Sequence, residues 1–188
     1  MKVRWLGNAC VEIFGEDHVL IDPNFSVEPE KKPDLVLVTH EHDDHFDTDD
    51  FAKYKDNVEL LAPEPTLKKF DLDGIGAEPG MYFKDVKILD CQCWNAEQSV
   101  SYYYDGVLHS GDSNIFPEVE NVKLLFTACF PDYYDDYLSA FKRLKPELVV
   151  PFHYDPEDGS EDAEGLVELM DEEGINGTLL EPGDSVEV

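Results

Sequence analysis

The segment of residues 39–46 constrains this chain most, because it reads Thr-His-Glu-His-Asp-Asp-His-Phe directly after a short apolar run. His40 and His42 lie two positions apart and therefore project to the same side of an extended segment. Asp44 and His45 follow past a turn and can reach a second position nearby. Imidazole nitrogens and carboxylate oxygens are ligands of zinc and manganese. The pattern predicts a metal site with room for two cations, rather than a polar surface loop.

The whole chain, residues 1–188, is suited to a single globular domain. Its apolar content of 42% is enough to fill one core. It has no uninterrupted apolar stretch of about 18 residues, and its first residues lack the long apolar segment of a signal peptide. We therefore expect no membrane partner and a cytoplasmic location. Free thiols or a metal ligand are expected of the four scattered cysteines, Cys10, Cys91, Cys93 and Cys129.

The charge balance is strongly acidic, with 14 basic and 43 acidic residues and a formal net charge of −29. Such a polyanion repels phosphate backbones, so we expect no nucleic-acid partner. A surface adapted to high salt and ordinary solubility both account for the acidity. The sequence does not fix the oligomeric state.

Apolar periodicity and turn residues predict a mixture of strands and helices. Strands are expected at 2–6, 10–14, 18–21, 35–38, 58–62, 86–93, 99–104, 107–108, 122–128 and 148–150. Helices are expected at 48–55, 133–144 and 161–172, the last two ended by Pro146 and Gly174. Asp105-Gly106 has the composition of a hairpin turn. Hairpins combined with βα units favour sheets covered by helices.

Polar residues follow three of the predicted strands at the point where each strand ends. His40 follows strand 35–38, Asp112 follows strand 107–108, and His153 follows strand 148–150. Taken singly, each is a weak signal, because a turn is the better explanation of Asp112 and His153 also fits a packed core histidine. If the strands run alike through one core, however, their ends meet at one edge, where layered α/β proteins place ligands. We therefore predict one pocket that collects all three.

Five motifs in this order resemble the metallo-β-lactamase superfamily. They are Trp5-Leu6-Gly7-Asn8-Ala9, Leu20-Ile21-Asp22-Pro23, Thr39 to His45, Ser110-Gly111-Asp112-Ser113 and Pro151-Phe152-His153-Tyr154. The chain is most similar to the small metal-dependent hydrolases of the superfamily, the group that includes the ascorbate-6-phosphate lactonase type. The resemblance implies an α/β fold, a four-layer αββα sandwich.

The resemblance also implies a ligand set. It assigns His40 and His42 to a first metal, Asp44, His45 and His153 to a second, and Asp112 to a bridge between them. The cofactor would be one or two divalent cations, with zinc first and manganese or iron as alternatives.

The chain departs from the family pattern at two positions, and the second departure concerns the first metal. The family commonly has histidine where Asn8 stands, and a third histidine at the end of strand 86–93, where this chain has none. Strand parity puts Cys91, Cys93 and Asn95 on one side but does not choose among them. The cysteines fit equally well as small buried apolar residues. The first site is therefore weakened, completed by Cys93, or absent.

These observations predict a hydrolase that acts on a small-molecule ester, lactone or phosphoester with hydroxide activated by the metal. Asp44 is the expected catalytic residue, orienting the nucleophile or passing its proton. Two alternatives stay open: an iron-dependent oxidoreductase on the same fold, and a non-catalytic metal-binding protein with a degenerate first site. His109 is expected to orient a ligand or to pack at a strand end.

Overall fold

Two β-sheets and four α-helices form the part of the chain that the computed structural model describes, residues 1–56, 58–155 and 159–188. The strands are β1 (Lys2–Gly7), β2 (Cys10–Phe14), β3 (His18–Ile21), β4 (Leu35–Leu37), β5 (Glu59–Ala62), β6 (Ile75–Gly76), β7 (Tyr82–Phe83), β8 (Val86–Asp90), β9 (Val100–Tyr104), β10 (Val107–His109), β11 (Leu124–Thr127), β12 (Leu148–Pro151) and β13 (Ser185–Glu187). The helices are α1 (Thr48–Ala52), α2 (Glu64–Lys69), α3 (Tyr134–Leu144) and α4 (Glu161–Glu172).

The first sheet has the order β13-β1-β2-β3-β4-β5-β6, and the second has the order β12-β11-β10-β9-β8-β7. Antiparallel hairpins build β1 to β3 and β7 to β10. Parallel pairing joins β3 to β6 in the first sheet and β10 to β12 in the second. Each sheet is therefore antiparallel in one part and parallel in another.

Strand β4 is apolar throughout because both of its faces are covered. Leu35 and Leu37 belong to the core that includes Tyr102 of the second sheet. Val36 belongs to a second cluster, which includes Phe51 of α1 and Leu67 of α2. Side chains alternate between the faces of a strand, so a strand between two covered faces has no polar positions. This explains the continuous apolar run ahead of residue 39.

Helices α3 and α4 cover the second sheet. Phe141 of α3 and Leu166 and Met170 of α4 lie in the same buried cluster as Val149 of β12. The layers are therefore helix, sheet, sheet, helix, and the predicted αββα sandwich is confirmed. Among the described helices, none combines the length and the apolar character needed to cross a lipid bilayer.

The predicted elements are largely confirmed, including the hairpin at Asp105-Gly106, but the prediction for residues 86–93 is wrong at its end. Strand β8 stops at Asp90, so Cys91 and Cys93 lie in a loop where strand parity does not apply. Helix α2 is not among the predicted helices, because a segment that begins with closely spaced prolines favours a loop. Proline is tolerated in a first helical turn. The acidic residue at the start of this segment and the two lysines at its end could have indicated the helix.

The strands that precede the polar clusters belong to different sheets, β4 to the first and β10 and β12 to the second. Their carboxyl ends nevertheless lie at the same edge of the sandwich. Hydrogen bonds between the loops that follow these strands show this. The predicted convergence therefore takes place between the sheets rather than along one of them.

Candidate metal centre

The six side chains singled out from the sequence converge at this edge. Three groups of donor atoms each lie close enough together to hold an ion: His40 with His42 and Cys93, His40 with His45 and Asp112, and Asp44 with His45 and His153. Asp112 contacts both ends of the centre, since its Oδ2 lies 3.8 Å from His40 Nε2 and 3.5 Å from His153 Nε2. That these six side chains bind metal ions stays a prediction.

The first half of the centre contains two imidazoles and a thiol. His40 Nε2 and His42 Nδ1 lie 3.1 Å apart. Cys93 Sγ lies 3.4 Å from His40 Nε2 and 3.8 Å from His42 Nδ1. Three donor atoms therefore face one another in a small triangle.

The second half is built from carboxylates and imidazoles. His45 Nε2 lies 2.9 Å from Asp112 Oδ2, and His153 Nε2 lies 2.9 Å from Asp44 Oδ2. The buried Asp112 Oδ1 has no hydrogen-bond partner among the described residues. A buried carboxylate oxygen without a partner is costly, and a cation would supply what it lacks. The donor set therefore fits divalent cations of the zinc type.

A buried network behind the centre sets the orientation of two imidazoles. The Thr39 hydroxyl donates to Asp22 Oδ2 at 2.8 Å and lies 2.9 Å from His40 Nδ1. Because that hydroxyl proton goes to Asp22, we infer that His40 Nδ1 donates to the hydroxyl oxygen, which leaves Nε2 unprotonated. His45 Nδ1 likewise donates to Asp22 Oδ2 at 2.7 Å. Carboxylates in this position fix the tautomer of metal-binding histidines. The sequence identified Asp22 as part of a family motif, but not this role.

Electrostatics within the centre favour neutral His40 and ionised carboxylates. Burial, followed by the charge on His45, lowers the pKa of His40 to about 3. Burial opposes a charge on His45, but Asp112 and Asp22 outweigh it and raise the pKa of His45 well above its usual value. The hydrogen bond from His153 holds the pKa of Asp44 well below its usual range. Burial opposes ionisation of Asp112, but His45 outweighs it and holds the pKa of Asp112 low.

The backbone is strained at two of the positions. Asp112 has φ of 97° and His153 has φ of 66°, a region that L-residues rarely adopt. The loop around His153 is anchored by its N–H, which donates to Asn8 O at 3.1 Å. Asn8, which stands where the family commonly has histidine, thus contributes its carbonyl here. Its side-chain amide donates to Asn24 instead of pointing to the donor cluster.

A cavity of about 240 Å³ opens beside the donor atoms. It is lined by His42, Asp44, Gln92, Cys93, Trp94, Asp112, Asn114, Phe130, Tyr133 and His153. Trp94 and Tyr133 are 83% and 40% exposed, so the rim is aromatic. None of the described lining residues is Lys or Arg. Neither Trp94 nor Phe130 of this rim was predicted from the sequence to line a site.

Cys91 and His109, which the sequence left with more than one possible role, are both buried and hydrogen-bonded to backbone carbonyls. Cys91 is buried, and its thiol donates to Ser110 O at 3.0 Å. His109 is buried, Nε2 donates to Ala9 O at 2.8 Å, and its ring stacks on Phe152. Of the two roles expected for His109, the structure shows packing at a strand end.

Comparisons with known proteins agree with this fold. Residues 2–153 match the family described as the beta-lactamase superfamily domain. A protein of Thermoplasma acidophilum named UPF0173 metal-dependent hydrolase is 30% identical, over 82% of this chain and 83% of that protein. The structure is similar to Igni18, a metallo hydrolase of Ignicoccus hospitalis, with a TM-score of 0.77, 22% identity, and coverage of 98% of this chain and 97% of that one. A metal-dependent hydrolase structure from Parabacteroides distasonis has a TM-score of 0.76 and 19% identity, and covers 94% of this chain and 91% of that one.

Proposed function

The chain belongs to the metallo-β-lactamase superfamily, and from that premise we propose that residues 1–188 form one metal-dependent hydrolase domain acting on a small uncharged ester or lactone. The observation that carries the proposal is the convergence of six donor side chains from three loops beside an open cavity. The ascorbate-6-phosphate lactonase likeness stays a prediction.

His40 and His42 would hold the first cation, Asp44, His45 and His153 the second, and Asp112 both. When bound, such cations supply a water of lowered pKa and polarise the substrate's acyl oxygen. Zinc is the proposed metal, with manganese or iron as alternatives, since nitrogen and carboxylate donors suit all three.

Asp44 is the proposed catalytic residue. Its carboxylate is half-exposed, lines the cavity and accepts a hydrogen bond from His153 Nε2 at 2.9 Å. The low pKa of Asp44 keeps it ionised in neutral solution. It can therefore accept a hydrogen bond from a water molecule in the cavity and orient that water towards the substrate. Orienting that water or passing on its proton is therefore the proposed role of Asp44.

The cavity favours uncharged substrates over phosphoesters. None of the described lining residues is Lys or Arg, so apart from the cations themselves the cavity offers no permanently charged clamp to a phosphoryl group. The chain's net charge of −29 also opposes the approach of anions. The rim formed by Trp94, Phe130 and Tyr133 offers apolar contact to the part of the substrate that does not react. We therefore propose carbonyl esters and lactones.

The test compares aryl esters, lactones and aryl phosphates as substrates of the zinc- and manganese-loaded protein. We expect turnover of an ester or lactone, and a decrease of roughly 100-fold or more in kcat for Asp44→Asn. Asp43→Asn is the matched control, because Asp43 is the exposed neighbour that pairs with Lys69 outside the cavity. Tight metal binding with no turnover of any ester or lactone would contradict the proposal, as would faster turnover of the phosphates.

Elemental analysis of the freshly purified protein separates the alternatives. Two zinc or manganese ions per chain together with turnover support the hydrolase. Iron after anaerobic purification would instead favour the oxidoreductase on the same fold. The hypothesis of a degenerate first site loses support from the position of Cys93, whose sulfur supplies a third donor beside His40 and His42.

A further inference from the structure

Cys93 is the only one of the three residues left open by the sequence whose side chain joins a donor group found in the described structure. We propose that Cys93 is a thiolate ligand of the first metal, completing a set with His40 and His42 in place of the histidine that the family pattern leads one to expect. The proposal rests on the metal centre of the proposed function but not on its reaction.

The donor spacing matches that of a single zinc ion. With zinc bonds of about 2.0–2.1 Å to nitrogen and about 2.3 Å to sulfur, two ligands of a tetrahedral ion lie about 3.3 Å apart for a nitrogen pair and about 3.6 Å for nitrogen and sulfur. The nitrogens of His40 and His42 are 3.1 Å apart, and Cys93 Sγ lies 3.4 Å and 3.8 Å from them. All three edges therefore agree to within a few tenths of an ångström.

Neither Cys91 nor Asn95 contributes an atom to the donor groups of the described structure. The Cys91 thiol is buried and donates to Ser110 O at 3.0 Å and towards Gly111 O at 3.7 Å, and it belongs to none of the donor groups. Asn95 is exposed and has φ of 65°, in a turn beyond the cavity lining. Only Cys93 has an atom within reach of both imidazoles.

The loop that carries Cys93 is held in place by hydrogen bonds. The Cys93 N–H donates to Ser99 Oγ at 3.1 Å, and the Ser99 hydroxyl in turn donates to Cys91 O at 3.0 Å. The Gln92 N–H donates to Ser113 Oγ at 3.2 Å, which ties the loop to the segment that follows Asp112. These bonds hold the backbone at Cys93 in place without a metal.

A thiolate changes what the first site prefers. Metal binding replaces the thiol proton of Cys93, so one Sγ–H bond breaks, one metal–sulfur bond forms, and one proton goes to solvent. Thiolates are soft ligands that favour zinc and cobalt over manganese. The first site is therefore expected to bind zinc more tightly than manganese, whereas the oxygen-rich second site is expected to discriminate less.

The test is absorption spectroscopy of the cobalt-substituted protein, together with X-ray absorption at the zinc edge. We expect a near-ultraviolet thiolate-to-cobalt band in the wild-type protein, and a zinc–sulfur distance of about 2.3 Å. Cys93→Ser should lose the band and bind one cobalt at least about 10-fold more weakly. Cys93→His should restore tight binding of the second cobalt ion per chain without restoring the thiolate band. Cys91→Ser is the matched control and should retain the band.

The outcomes separate this proposal from the proposed function. A band that persists in Cys93→Ser overturns the proposal, as does a wild-type protein that binds two cobalt ions with no sulfur signal in either measurement. The zinc measurement needs no variant, so a misfolded Cys93→Ser does not weaken the test. A sulfur signal without any hydrolytic turnover contradicts the proposed function alone. A chain that binds neither zinc nor cobalt contradicts both.

Discussion

Asp112 Oδ2 lies 2.9 Å from His45 Nε2, although 67 residues separate the two in sequence. The other oxygen of Asp112 is buried without a partner in the described part of the chain. One oxygen of this carboxylate therefore lies near donors of both halves of the centre, and the second oxygen stays available to a cation. This pair joins the loop after β4 to the loop after β10, and so links the two sheets.

Replacing Asp112 by Asn is expected to remove the bridge while keeping the shape. Asn tolerates the left-handed backbone at this position, but its amide cannot supply the negative charge that two cations share. We expect the metal content to fall by about one ion per chain. Activity should fall at least about 100-fold, because losing a direct ligand should cost at least as much as the largest effects of residues that only support a ligand. Elemental analysis and initial rates measure both. Asp105→Asn, also left-handed but exposed in a hairpin turn, should change neither.

Gly111 is expected to be needed for packing behind the centre. Its φ is 62°, and a Cβ there would lie 2.8 Å from Thr39 Cβ and 3.0 Å from Val100 O. Gly111→Ala should therefore displace Thr39 and cost roughly 1–3 kcal/mol beyond the backbone strain alone. Gly80→Ala is the control, since Gly80 also has positive φ but a Cβ there would have no atom within 4 Å. Urea unfolding of both variants gives the difference, and equal losses would contradict the argument.

Glu12 is expected to make stability depend on pH. It is buried with Arg4 and His18, at 2.5 Å and 2.8 Å. Burial opposes its ionisation, but the hydrogen bonds from His18 and Arg4 outweigh this and lower the pKa of Glu12. Since the unfolded value is about 4.3, the stabilisation is complete above that pH and is lost as pH falls through the lower folded pKa.

Glu12→Gln should therefore destabilise the protein by roughly 3 kcal/mol in neutral solution and by less below about pH 4. Urea midpoints measured across this range test the trend. Glu28→Gln, which alters an exposed pair with Lys53, should leave the midpoint nearly unchanged at each pH. A gap between Glu12→Gln and wild type that widens towards low pH would show that the sign is wrong.

Metal removal is expected to lower the thermal stability. A ligand that binds only the native chain contributes about 2.7 kcal/mol at a free concentration of 100 Kd. For a domain of this size, this corresponds to about 5–10 °C in Tm. Calorimetry with a chelator and with added zinc gives the shift. His45→Ala removes one of the donors and should respond much less, whereas an equal response in that variant would place the metal elsewhere.

The sequence by itself determined the parts of this protein that local chemistry dictates. A two-sided apolar strand followed by His40, His42, Asp44 and His45 needs no tertiary information to be identified, because strand periodicity and ligand spacing are both properties of a few adjacent residues. The predicted strands ahead of Asp112 and His153 likewise placed those two residues just beyond strand ends. The αββα fold followed from the resemblance carried by these motifs.

Only the tertiary structure decided which side chain lies beside His40 and His42. Side chains alternate between two faces only while a strand continues. Strand β8 ends at Asp90, and beyond it the backbone is held by hydrogen bonds within its own loop and to the loop after β10. The same holds for Asp22, whose contacts with Thr39 and His45 bridge segments 17 and 23 residues away. Such choices depend on which loops meet across the two sheets, and a pattern of neighbouring residues carries no information on that.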